Sequence, residues 1–215
     1  MGCFFKNNKK MKKIIFATLI FNTNIFAQKT EVKSSLNLDT ITLGGGCYWC
    51  VEAVYQQLDG VTSVVSGFSG GKTVNPTYEE VCTGNTGHAE VVQITYDKTK
   101  TNLDEILKVF FTVHDPTTLN RQGGDVGTQY RSAIFYKNEA QKQVAQTIIA
   151  SLKMGKVYDK PIVTTLEPLI KFYAAKEYHQ NYFNKNKNQP YCQMVIQPKL
   201  EKFEKIFKDR LKKKK

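Results

Sequence analysis

No run of apolar residues in this 215-residue chain approaches the ~20 that a membrane-spanning helix requires; the stretch Ile14–Phe21 falls far short and no later segment comes closer. Stable membrane insertion is therefore not expected. Histidine is scarce, with three residues, and the five cysteines include only one CxxC pair. A structural zinc site needs four ligands at defined spacing, and these residues are scattered without it, so no metal is expected. Between residues 40 and 198 there is no linker, internal repeat or low-complexity run, which leaves one domain. A phosphate loop is also missing. Gly44-Gly45-Gly46 lacks both the spaced glycines of a dinucleotide site and the acidic residue about twenty positions on.

What is present is ordinary globular material, 41% hydrophobic, 23% charged and 12% aromatic. That balance excludes intrinsic disorder and coiled-coil or collagen-like arrays. Acidic side chains are outnumbered 19 to 31, for a net charge of +12, which by itself suggests nucleic acid or an acidic membrane. The surplus sits at the ends. Residues 1–27 hold five lysines and no acids, residues 199–215 hold nine basic and three acidic groups, and residues 28–198 hold 17 basic and 16 acidic ones. A nucleic-acid surface would interleave basic and aromatic residues on one face, so nucleic acid is not an expected partner.

Lys9, Lys10, Lys12 and Lys13 precede the apolar run, and Ile25-Phe26-Ala27 closes the segment with a small residue. That is the layout of a secretory signal, so residues 1–27 are expected to be removed and the protein exported, to the periplasm or outside the cell. The start stays open between Met1 and Met11. Residues 28–39 read as a linker, 40–198 as the main folded domain and 199–215 as a basic C-terminal helix and tail, with Pro198 at a first helical position and Lys212–Lys215 frayed.

Inside the domain strands and helices alternate. Thr40–Leu43, Val61–Phe68, Glu90–Tyr96 and Tyr130–Tyr136 read as strands; helices follow from about Cys47 to Gly60, at Tyr78–Cys82, around Leu103–Phe111 and at Glu139–Leu152. This density implies an α+β fold, an α/β sandwich whose mixed or antiparallel sheet is covered by helices, with a long C-terminal segment.

Cys47 opens a helix after a glycine turn, where unpaired N–H groups and the helix dipole favour an anion, so its thiolate is expected to be stabilised. The bland alternative is a buried cysteine acting as a small hydrophobe. Cys50 completes Cys47-Tyr48-Trp49-Cys50, a pattern compatible with a redox-active dithiol. Cys192 is expected in a loop and Cys82 in the core.

These residues resemble the peptide methionine sulfoxide reductases of the A type. The resemblance rests on Gly46-Cys47-Tyr48-Trp49-Cys50-Val51-Glu52, Asn75-Pro76-Thr77-Tyr78, Thr86-Gly87-His88-Ala89-Glu90, His114-Asp115-Pro116-Thr117, Gly124-Asp125, Gly127-Thr128-Gln129-Tyr130-Arg131-Ser132 and Tyr178-His179-Gln180, in the family's order across roughly residues 40–195. Tyr48 stands where phenylalanine is usual, Gly124 where asparagine is common and Val126 where histidine is frequent; none of these removes a reacting group.

The resemblance implies thiol-dependent reduction of methionine S-sulfoxide, free or in oxidised proteins. Cys47 would attack the sulfoxide sulfur and become a sulfenic acid. Glu90 would be the acid, neutral because an apolar pocket raises its pKa. Tyr78 and Tyr130 would hydrogen-bond the sulfoxide oxygen, Asp125 would organise the site, and Tyr48 and Trp49 would cradle the S-methyl group. His88 and His179 would be scaffold. Cys192 and Cys50 are both candidates to resolve the sulfenic acid. Cys192 is favoured because CxxC closure would constrain the turn that presents Cys47; proximity argues for Cys50, and a relay between them stays open. No cofactor is expected to be bound; the reductant would be an external thioredoxin-like protein or dithiothreitol, and the protein a monomer. The rival class is a dithiol–disulfide oxidoreductase acting through Cys47 and Cys50 alone, with no need of Glu90, Tyr78 or Tyr130.

Overall fold

Alternating apolar residues build the sheet, and the structure, a computed structural model, describes residues 37–213. Strand β1 (Leu38–Gly45) pairs antiparallel with both β3 (Ala89–Asp97) and β6 (Ser132–Tyr136). Strand β2 (Val61–Ser69) lies antiparallel between β3 and the short β8 (Phe172–Ala174), while β7 (Thr165–Pro168) runs parallel to β6 at the other edge. The order β7-β6-β1-β3-β2-β8 makes a mixed six-stranded sheet. The residues 1–27 read as a signal and most of those read as a linker lie outside the described residues. Strand β1 begins inside that linker, at Leu38, because Asp39 accepts a hydrogen bond from the Tyr96 hydroxyl and pairs with Lys137.

Helix α1 (Tyr48–Gln57) runs through the centre of the core. Tyr48, Cys50, Val51, Glu52, Ala53, Val54 and Tyr55 are all buried, so it is apolar almost all round rather than amphipathic. Helix α2 (Tyr78–Cys82) starts in a capping box between Thr77 and Glu80. Helix α3 (Leu103–Val113) is capped by the Asn102 side chain and α4 (Glu139–Met154) by Asn138. A two-stranded ribbon, β4 (Arg121–Gln122) with β5 (Asp125–Val126), precedes β6. Helix α5 (Tyr182–Lys185) is one turn, and α6 (Gln197–Ile206) buries Leu200 and Phe203.

Several expectations move. Tyr130 does not begin a strand: residues Thr128–Tyr130 form a 3₁₀ turn after Gly127, and the ladder starts at Ser132. Pro198 falls in the first turn of α6 as expected; the chain before it is already helical from Pro190 and passes through a π turn over Cys192–Ile196. Cys192 is therefore a buried helical residue, not a loop residue. Leu211 lies beyond that helix, bridged to Leu58, and Lys212 donates its backbone N–H to Gln57 and its ammonium to the Gln56 carbonyl, so the tail is tied down to that point rather than frayed. Cys82 is exposed, not core, because its short helix stops before it can be covered. Met154 and Met194 are exposed at 78% and 73%, and the apolar core of the described residues holds no methionine.

Gly46 joins β1 to α1 at φ +90°, and a Cβ there would lie 2.5 Å from the Gln122 side chain. Gly46→Ala is expected to cost ~1–3 kcal/mol and to displace Cys47. Urea unfolding checks this; an unchanged midpoint would mean that the turn relaxes freely.

Candidate active site

Cys47 is the N-cap residue of α1, presented by the Gly44-Gly45-Gly46 end of β1, and its side chain is buried. Glu90, in β3 beside β1 and β2, reaches the same helix start: its carboxyl accepts the Tyr48 backbone N–H at 3.1 Å. Sheet and helix thus bring two residues 43 positions apart to one point. Glu90 is 2% exposed. Burial pushes it up to about 8, with Asp125 and Cys50 adding to the rise and the Tyr48 N–H opposing it. Burial thus favours the neutral carboxylic acid near pH 7, the form that the family resemblance implies.

The sulfurs differ from expectation. Burial above all pushes the Cys47 thiol well up, and the hydrogen shared with Cys50 and the Glu90 charge push the same way. Cys50 is pushed down to about 7, chiefly by that shared hydrogen, with burial opposing. The two sulfurs thus titrate together, with the thiol form favoured at Cys47. Cys192 is fully buried; burial raises its thiol and the neighbouring Cys50 sulfur adds to the rise. Cys50 lies one turn along the helix that Cys47 caps.

Aromatic rings wall the pocket. Tyr48 packs 5.9 Å from Trp49 and 5.8 Å from Phe68. Trp49 stacks on Tyr182 at 3.7 Å and 7°, and Tyr78 lies 4.5 Å from the His179 ring. The hydroxyl of Tyr48, the indole N–H of Trp49 and both ring nitrogens of His179 are buried without a partner, so polar atoms are available to a polar guest. Burial pushes Tyr78 and Tyr130 far above the ordinary tyrosine range, with the Glu90 charge adding to both. Both hydroxyls keep their protons and remain donors.

The arrangement of a neutral carboxylic acid, a sulfur pair sharing a proton and two tyrosine donors inside an aromatic wall is equipped to protonate an oxygen while a sulfur is attacked. A sequence model described as peptide methionine sulfoxide reductase matches residues 39–211. The chain belongs to that family. It is an oxidoreductase of the peptide-methionine (S)-S-oxide class, similar to the peptide methionine sulfoxide reductases MsrA 1 of Rhodopirellula baltica, 53% identical over 85% of this chain and 94% of the relative, and MsrA of Saccharolobus solfataricus, 54% identical over 81% and 98%. Among solved structures it resembles methionine sulfoxide reductase A of Corynebacterium diphtheriae, with TM-score 0.63 and 37% identity over 70% of this chain and 76% of that one. It also resembles reduced Mxr1 of Saccharomyces cerevisiae, with TM-score 0.65 and 35% identity over 74% and 91%.

Other residues of this peptide methionine sulfoxide reductase hold the pocket together. Glu52, quoted in the sequence signature without a role, is buried and accepts the backbone N–H groups of Asn181 and Tyr182, capping α5 from another helix and setting the ring that stacks on Trp49. Gln180 fixes the same segment to β2 through both backbone groups of Ser66. Tyr191 donates its hydroxyl to Asp125 at 2.8 Å and stands edge-on to Trp49. His88 bridges the Gly71 N–H and the Thr73 carbonyl, and has the scaffold place expected of it. His179 belongs instead to the pocket wall. Only its neighbourhood in sequence to Gln180 signalled this. Among the described residues no group of three His, Cys, Asp or Glu side chains is disposed to hold a metal ion.

Proposed function

We propose that this reductase acts on methionine S-sulfoxide, free or in proteins, through a cysteine sulfenic acid and an intramolecular disulfide. The reading rests on one observation: the neutral Glu90 carboxyl and the Cys47–Cys50 sulfur pair meet at the start of α1. Tyr48 and Trp49 cradle the S-methyl group, and Tyr78 and Tyr130 hold the sulfoxide oxygen. Cys47 sulfur gives up its proton and attacks the sulfoxide sulfur, forming an S–S bond; Glu90 protonates the oxygen, which leaves as water with the thiol's proton as the S–O bond breaks. Water then attacks the Cys47 sulfur, the S–S bond breaks, methionine leaves, a proton returns to Glu90 and Cys47 carries the new oxygen as a sulfenic acid. Asp125 orders the site. Cys50 then closes the first disulfide, being one turn along the same helix, and Cys192 follows as the thiol that receives it. A thioredoxin-like protein, or dithiothreitol in its place, returns the enzyme to the dithiol; no bound cofactor takes part. The chain works as a monomer, exported after removal of residues 1–27, repairing oxidised proteins outside the cytosol.

The test is intact mass and peptide mapping after one equivalent of methionine S-sulfoxide without reductant. One equivalent of methionine and a Cys47–Cys50 or Cys50–Cys192 disulfide are expected. No methionine, with retained exchange of added disulfides, would replace this reading by the plain dithiol oxidoreductase.

A further inference from the structure

The hydroxyl of Tyr191 is shared between two reacting partners. It donates to Asp125 Oδ2 at 2.8 Å, and its oxygen lies 3.9 Å from Cys50 Sγ. The ring is fixed edge-on against Trp49, 5.9 Å between centroids. It is carried on the same helical turn as Cys192, so the C-terminal segment delivers it to the sulfur pair.

We propose that Tyr191 is a catalytic residue of disulfide closure, a proton relay from Cys50 to Asp125. The proposal rests on the sulfenic-acid reading above and names the group that reading lacks. In the resting pair Cys50 is held toward its thiolate by the hydrogen it shares with Cys47. Once Cys47 carries oxygen its S–H is gone, and Cys50, buried, reverts toward the thiol. It must then lose a proton to become a nucleophile. As the Cys50 sulfur advances, its proton passes to the Tyr191 oxygen while the Tyr191 proton passes to Asp125. The Cys50 electron pair forms the S–S bond, the S–O bond of Cys47 breaks, and the departing hydroxide takes up one proton, the equivalent of that released by Cys50, to leave as water. No outside oxidant or reductant enters.

Single turnovers of the full mature chain with methionine S-sulfoxide separate the steps. Methionine release reports sulfoxide reduction, loss of dimedone labelling at Cys47 reports closure, and Trp49 fluorescence reports that the pocket is intact. In Tyr191→Phe the ratio of closure rate to release rate is expected to fall at least tenfold, with sulfenic acid accumulating. Tyr191→His, whose ring can accept a proton at one nitrogen and give one from the other, is expected to recover part of that loss. A tyrosine that merely packs would be served better by phenylalanine than by histidine. Closure in Tyr191→Phe at the unmodified rate, or slower in Tyr191→His than in Tyr191→Phe, overturns the relay alone. An unmodified enzyme that releases no methionine overturns the underlying reading and the relay with it.

Discussion

Glu90→Gln is expected to lower the rate constant for sulfoxide reduction by ~10²–10⁴-fold, the range a well-placed general acid contributes. The amide keeps the shape, and its oxygen still accepts the Tyr48 N–H that Glu90 binds at 3.1 Å. What it loses is the transferable proton. Sulfoxide oxygen leaves a sulfur poorly as a dianionic oxide and readily once protonated, so the loss belongs to kcat. Substrate binding, which depends on Tyr48, Trp49, Tyr78 and Tyr130, is expected to keep KM within a few-fold. Turnover with dithiothreitol across a substrate series measures both. A kcat within threefold of the parent would remove Glu90 from the reaction and return the site to simple dithiol exchange.

The same substitution is expected to stabilise the fold at neutral pH. Glu90 is pushed up to about 8 in the folded protein by burial, against an ordinary value near 4.3 when the chain is unfolded. Folding therefore favours the protonated form. Its contribution is fully present below pH ~4.3, declines as the unfolded chain ionises, and is lost by the time pH rises through about 8. Between those limits the unfolded state binds fewer protons than the folded one, so stability falls with pH. At pH 7 the loss amounts to ~4 kcal/mol, from ~2.7 pH units at ~1.4 kcal/mol per unit. Glu90→Gln has no proton to lose, so denaturant unfolding should give a flatter pH profile from 5 to 8 and a higher midpoint at pH 7. An identical slope in parent and variant would mean that Glu90 ionises freely in the folded state. Activity and stability are thus set against each other at one carboxyl.

Much of this was legible beforehand, and for identifiable reasons. The alternation in Glu90–Tyr96 and the i, i+3, i+4, i+7 pattern from Val51 report local geometry, which neighbouring residues determine. The glycine turn before Cys47 was legible because only a few backbone conformations can enter a helix so sharply. The burial of Cys192 was not. It depends on a helix packed from more than 130 residues away from Cys50, and nothing near Cys192 in sequence announces it. The charge on the Cys47–Cys50 pair was misread because helix-end electrostatics are local while burial is tertiary, and burial dominates at Cys47. The π turn over Cys192–Ile196 was not legible, because it leaves no period of its own. Glu52, Tyr182 and Tyr191 escaped a role because their work is done on residues distant in sequence.

The placing of the methionines bears on how long such an enzyme survives its own surroundings. Met154 and Met194 stand in solvent, while the packed interior relies on Leu, Ile, Val and aromatic side chains that mild peroxides leave alone. Oxidants that damage the thioethers of client proteins would reach these two without wedging a polar oxygen into the core. The packed machinery of repair is thereby built largely from material that does not itself need repairing, and the two thioethers among the described residues lie where another copy of the same enzyme can approach them.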